Sequence, residues 1–102
     1  MQISLIFNKG DVIMGSGGVP NRTVEISYER SLKTIGKPNS RVDKYNQNGK
    51  KLQSRWYDKN GKAIRNRDYT HSNPNVKVPH DHAWFEGVRN SEHLAPDYEN
   101  FN

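Results

Sequence analysis

Four side chains in the second half of the chain have types and spacing suited to chemistry. Asp68 and His71 bound the segment "DYTH", and His80 and His82 flank Asp81 in "PHDHAW". Neutral imidazole is the commonest metal-ligating side chain, and zinc takes three or four such ligands. Side chains at i and i+2 of a strand leave the same face, so His80 and His82 point one way if that stretch is extended. Eight residues separate His71 from His80, enough for a hairpin to bring His71 back beside the pair. The expected metal set is therefore His71, His80, His82 and Asp68, with zinc as the ion. Asp81, Glu92 and His93 are further candidates to complete it. A second chemistry is open to the same residues. Histidines beside a carboxylate can cleave RNA by general acid–base catalysis without a metal, with Arg65 or Arg67 stabilising the transition state. In that case His71, His80, His82 and Asp68 are the catalytic residues. No Ser-His-Asp arrangement is legible, and the "GSGG" at 15–18 lacks the Lys-Ser/Thr of a phosphate-binding P-loop.

The elements that must position these residues are signalled by a repeat. "YNQNGKKL" at 45–52 returns as "YDKNGKAI" at 57–64. An Asn or Asp opening a turn, with Asn-Gly closing it, suits a type I turn completed by a left-handed glycine and a bulge. Two such turns imply strands near 41–46, 51–57 and 63–69. In this register Val42, Leu52, Trp56 and Ile64 share one face. Arg41, Tyr45, Lys51, Arg55, Tyr57, Arg65, Arg67 and Tyr69 share the other. Asp68 falls on the apolar face, where a carboxylate needs a partner or a cation. Upstream, "TVEISYERSLKTIG" reads as a strand passing into a short helix that ends at Gly36. The tail "NSEHLAPDYENF" reads as a short helix or turn capped by Ser91 and broken by Pro96. Residues 1–20 are a first strand or a dispensable leader, and translation can start at Met1 or Met14. The expected fold is α+β: a small antiparallel meander with one or two short helices and a His-rich metal-binding loop. It forms a single domain over 1–102, with a motif-bearing core at 36–84.

Composition narrows the setting. The chain has 102 residues, of which 31% are hydrophobic and 26% charged, so its core must be thin. Small domains with thin cores usually need a disulfide, a metal or a partner. Cysteine is absent, which leaves metal or partner and is compatible with a reducing cytoplasm. No segment is apolar and long enough to suggest a membrane span. The net charge of +5 is unevenly spread. Residues 37–67 hold ten Lys and Arg against two Asp and Glu, and residues 68–102 hold two against six. The basic middle suits a nucleic-acid backbone or an acidic protein surface. Its expected partner-binding face is Lys51, Arg55, Arg65 and Arg67 with Tyr57 and Tyr69.

Four segments in order, "GKPNS" at 36–40, "RWYD" at 55–58 followed by "NG", "DYTH" at 68–71 and "PHDHAW" at 79–84, resemble the type 24 polymorphic toxin domain. That family includes small stand-alone phage and prophage proteins. The resemblance covers residues 36–84. It implies nuclease activity with Asp68, His71, His80 and His82 as the functional cluster. Two functions follow as expectations. The leading one is a metal-stapled, phage-type, anti-CRISPR-like protein that binds and inhibits a nucleic-acid-handling defence complex. Its partner is then a host protein, a ribonucleoprotein or nucleic acid in the bacterial cytoplasm, and the chain is not an enzyme. The alternative is a toxin-like nuclease, RNase or DNase, that uses the His/Asp cluster.

Overall fold

The computed structural model of the chain describes residues 22–102 and the backbone of 2–3. Seven strands follow one another in space in chain order. They are β1 (Gln2–Ile3), β2 (Thr23–Ser27), β3 (Ser40–Tyr45), β4 (Lys51–Tyr57), β5 (Ala63–Asp68), β6 (His80–Phe85) and β7 (Val88–Arg89). Every neighbouring pair is antiparallel except β2 and β3, which run parallel. The described fold is thus all-β, a mixed sheet without a helix, and not the expected α+β. Of the anticipated leader or first strand at 1–20, all but the two-residue β1 lies outside the described residues.

The missing helix has a physical cause. A parallel pair needs a crossover, and residues 28–39 supply it as irregular chain laid over one face of the sheet. Their backbone groups bond to the β4–β5 turn and not to each other. The Ala63 amide donates to Thr34 O at 2.9 Å, Gly36 to Gly61 O at 2.8 Å, and Asn39 to Asp58 O at 2.9 Å. Leu32 of this segment is buried against Val42, Tyr57 and Ala63 of the sheet. A Cβ on Gly61 would sit 2.4 Å from the Gly36 carbonyl oxygen, so the contact requires glycine there. In the tail, Leu94 exchanges two backbone bonds with Asp81 across β6, which holds it extended.

Both Asn-Gly turns form as bulged hairpins. Gly49 and Gly61 have φ of 81° and 80°. The leading Asn46 and Asp58 each accept two backbone amides on Oδ1, at 2.8–2.9 Å. Each hairpin then carries a second irregularity, between Lys44 and Tyr45 in one and between Trp56 and Tyr57 in the other. Leu52 and Ile64 are the residues passed over. A one-residue slip moves every side chain beyond it to the opposite face, and this overturns the expected faces. Val42 now lies opposite Arg55, while Trp56 lies opposite Arg41 and Arg65. One face carries Val42, Arg55, Asn66, Asp68, His80 and His82. The other carries Arg41, Asp43, Ser54, Trp56, Arg65, Arg67 and Asp81.

Each face has its own cover. On the first, Leu32, Val42, Tyr57 and Ala63 form a small apolar cluster with Trp84 against it. On the second, the tail lies over Trp56, whose ring meets Phe101 at 5.6 Å. Among the described residues, twelve buried polar or charged side chains outnumber six buried hydrophobic ones. The thin core is therefore supplemented by internal ion pairs and hydrogen bonds, which must be well satisfied to be tolerated.

Candidate metal centre

The β5–β6 ladder sets Asp68 opposite His80 and Asn66 opposite His82. Residues two apart on each strand share a face, so Asp68, His80 and His82 converge. His80 and His82 are buried. Nδ1 of His80 lies 2.8 Å from Lys77 O, and Nδ1 of His82 lies 2.9 Å from Asn90 O. A carbonyl only accepts, so both Nδ1 atoms carry hydrogen. In the neutral rings both Nε2 atoms then present lone pairs. Each Nε2 stands 3.3 Å from Asp68 Oδ2. His80 Nε2 is buried and makes no hydrogen bond.

Electron-rich atoms aimed at one point call for a proton or a cation between them. A tetrahedral zinc with bonds of about 2.0–2.1 Å has ligand–ligand edges of about 3.3–3.4 Å. The contacts of Asp68 Oδ2 with both histidines match that edge. Backbone carbonyls on the far nitrogens are also the usual second layer of a metal-bound histidine, fixing tautomer and ring direction.

His93 completes the group. Its ring stacks on His80 with centroids 4.0 Å apart and lies 5.1 Å from His82. The ligand nitrogens of His80, His82 and His93 lie within 4.8 Å of one another, and the three could hold a metal ion. The His93 pKa is lowered, first by desolvation and then by the imidazoles of His80, His82 and His71, against the pull of Asp68. A lowered pKa favours the neutral ring that ligation requires.

Asp68 is oriented from behind. Its Oδ1 accepts Gln53 Nε2 at 2.7 Å and Asn66 Nδ2 at 3.0 Å, which leaves Oδ2 for the histidines. Asn66 is in turn held by Trp84, whose indole N–H donates to Asn66 Oδ1 at 2.5 Å.

His71 is near but differently engaged. Its ring lies 5.8 Å from both His80 and His93. Its Nδ1 accepts the Asn73 amide at 3.0 Å, so in the neutral ring the proton sits on Nε2. The place assigned to His71 by sequence spacing is taken by His93. The signal for His93 was only its residue type, because the Asp81–Leu94 bridge that delivers it is long-range. Asp81, another candidate ligand, faces away. It is fully buried and bound by Arg67 Nε at 2.7 Å, Arg67 Nη2 at 3.0 Å, Arg65 Nε at 2.9 Å and the Asp97 amide at 3.1 Å. Glu92, also a candidate, is exposed.

The expected basic, aromatic face is not assembled. Arg55, Tyr57 and Arg67 are buried. Arg55 donates to the carbonyls of Leu32 and Lys33 and lies 4.5 Å over the Trp84 ring. The Tyr57 hydroxyl donates to Lys33 O at 2.5 Å. Arg67 sits between the rings of Trp56 at 4.8 Å and Tyr98 at 4.4 Å, and Arg65 lies 5.1 Å over Phe101. Lys51 lies 4.8 Å over Tyr69 and 3.8 Å from Asp43. These cations face two sides of the sheet and have internal partners. Local charge was legible in the sequence, but the burial of the side chains that carry it was not.

Comparison with family models, characterised proteins and solved structures gives no match. The functional reading therefore rests on the geometry of the site. No helix among the described residues is long and apolar enough to cross a membrane.

Proposed function

We propose that the chain is a zinc-dependent nuclease in which His80, His82 and His93 hold the ion, Asp68 flanks it and His71 serves as general acid. The observation that carries this reading is the asymmetry of the centre. Two imidazoles are buried with fixed tautomers, while the third, His93, is exposed. A zinc that only staples a fold is enclosed on all sides by protein, whereas a catalytic one keeps a position for water. Asp68 would share the buried side of the ion with His80 and His82, and the exposed side at His93 would admit the water. Bound there, zinc would supply a water of lowered pKa and offset phosphate charge. His80 and His82 would hold the ion through Nε2. His71, whose ring lies 5.8 Å from those of His80 and His93, would in its protonated form donate a proton to the leaving oxygen.

The inhibitor reading keeps one favourable observation. Phe85 and Val88, 65% and 67% exposed, sit opposite each other at the tip of the β6–β7 hairpin, a natural contact for a protein. The arginine–tyrosine surface through which it was expected to bind is not assembled, so the nuclease is preferred.

The test is cleavage of a single-stranded oligonucleotide by zinc-loaded protein purified without metal-affinity resin. Folded His80→Ala should lose both zinc and cleavage. His71→Ala should keep zinc and lose about 10²–10⁴-fold in rate. An intact substrate with fully loaded wild-type protein would leave the metal as a staple and restore the inhibitor.

A further inference from the structure

Beside the centre lies a cleft of about 220 Å³ lined by Lys77, Pro79, His80, His93, Leu94, Ala95 and Pro96. We infer that it receives a single nucleobase whose phosphate rests on the metal centre, so that the substrate is a single-stranded polynucleotide. This rests on the nuclease reading and adds the substrate class to it.

Three observations lead there. The first is size. Sites for drug-sized ligands run to about 300–1,000 Å³, and this cleft is smaller, suited to one ring system and not to a base pair. The second is the chemistry of its walls. Two prolyl rings, Leu94 and Ala95 offer apolar surface, and the exposed imidazole of His93, backed by the buried ring of His80, offers a flat π face. Bases bind such platforms through stacking, which requires no particular sequence. The third is charge. Lys77 is exposed at the cleft, and its own carbonyl fixes His80. A cation beside a metal centre attracts a phosphate, and the base attached to that phosphate has the apolar cleft within reach. A base in a duplex is stacked and paired on its neighbours, so only an unpaired base can enter without first being extruded.

The experiment uses ligands that carry no phosphodiester to cut. Zinc-loaded full-length chain is titrated with adenosine 5′-monophosphate and with ribose 5-phosphate. The nucleotide should bind about tenfold tighter or more, the increment expected of one stacked base. Ala95→Trp fills the cleft at an exposed position and keeps the backbone carbonyl that accepts Arg65 Nη2 at 3.4 Å. It should abolish the nucleotide's advantage and leave ribose 5-phosphate affinity and zinc content unchanged. If that variant loses its fold or its zinc, Lys77→Glu serves instead and should weaken both ligands by a similar factor of about ten or more. Equal affinity for the two ligands in the wild type, an unchanged ratio in folded Ala95→Trp, or unchanged binding in Lys77→Glu overturns the assignment. An oligonucleotide that stays intact while the nucleotide keeps its tenfold advantage removes the hydrolysis and leaves the cleft. Single and double strands cut equally well, with no advantage for the nucleotide, remove the cleft and leave the hydrolysis.

Discussion

Two carboxylates on neighbouring strands, Asp68 and Asp81, are treated in opposite ways. They stand on adjacent rungs of the same ladder, Asp68 opposite His80 and Asp81 opposite Arg67, so they point to opposite faces. Asp81 is fully buried and filled by two guanidinium groups and a backbone amide. Asp68 keeps 15% of its side chain exposed and takes two neutral amides on one oxygen. Its other oxygen is left facing two imidazole nitrogens. The first carboxylate takes four hydrogen bonds, all from the protein itself. The second is held in direction and left incomplete in charge. That contrast separates a carboxylate whose charge is met within the fold from one that faces the histidine group.

The largest effect should come from Asp81. Asp81→Asn leaves Arg67 buried with its charge uncompensated, and breaking such a pair costs about 3–5 kcal/mol. Urea unfolding should show that loss, whereas Asp68→Asn in metal-free protein should change stability by under about 1 kcal/mol. Equal losses at the two positions would dissolve the distinction between them.

Metal should act on the other face alone. Free zinc at about 100 times its Kd stabilises a protein that binds it only when folded by about 2.7 kcal/mol. For a domain of this size, that raises the melting temperature by roughly 10–20 °C. His82→Ala should melt at one temperature with and without zinc. Asp81→Asn, where it still folds, should gain as much from zinc as the wild type.

How much of this was legible depends on the range of the signal. The two bulged turns were, because Asn46 and Asp58 bond amides two and four residues ahead, and the glycines follow directly. The shared face of His80 and His82, and the need of Asp68 for a partner, were also local. The second bulge in each hairpin was not. Skipping Leu52 or Ile64 leaves no mark in residue type, yet it reverses the faces of all that follows. The helix expected near residues 28–36 failed for the same reason, since the backbone there is claimed by the distant β4–β5 turn. Exchanging His93 for His71 follows from a contact between distant parts of the chain that no spacing rule contains.

A finer test concerns the support behind Asp68. Gln53→Leu removes one of its two amides and should weaken zinc binding about tenfold, as loss of an outer-layer partner typically does. Unfolding of the metal-free protein should stay nearly unchanged. An unaltered zinc affinity would mean that Asp68 needs no orientation or does not ligate.

The smallest effect should appear in acid. Burial alone would push the Asp81 carboxyl upward, but the hydrogen bonds from Arg67, the Asp97 amide and Arg65 outweigh it and hold the group below its usual range. Its stabilisation is therefore fully present above an unfolded pKa of about 3.9 and is lost as pH falls through the lower folded value. Arg65→Lys weakens only one of these bonds. The acid-unfolding midpoint of the metal-free variant should rise by less than about one pH unit. No shift at all would assign the whole effect to Arg67 and the Asp97 amide.

The order of the candidate ligands along the chain sets a schedule for synthesis. Asp68 emerges first, His80 and His82 next, and His93 only after β6 and β7 are complete. Domains assemble as the chain leaves the ribosome, beginning at the amino end. Because each strand pairs with the one made just before it, the sheet can grow while the chain is still tethered. The third imidazole cannot join until residue 93 is free and Leu94 has paired with Asp81. A nascent chain in the midst of translation thus carries a nearly finished scaffold and an incomplete histidine group, so all three imidazoles can meet one ion only once the end of the chain is free.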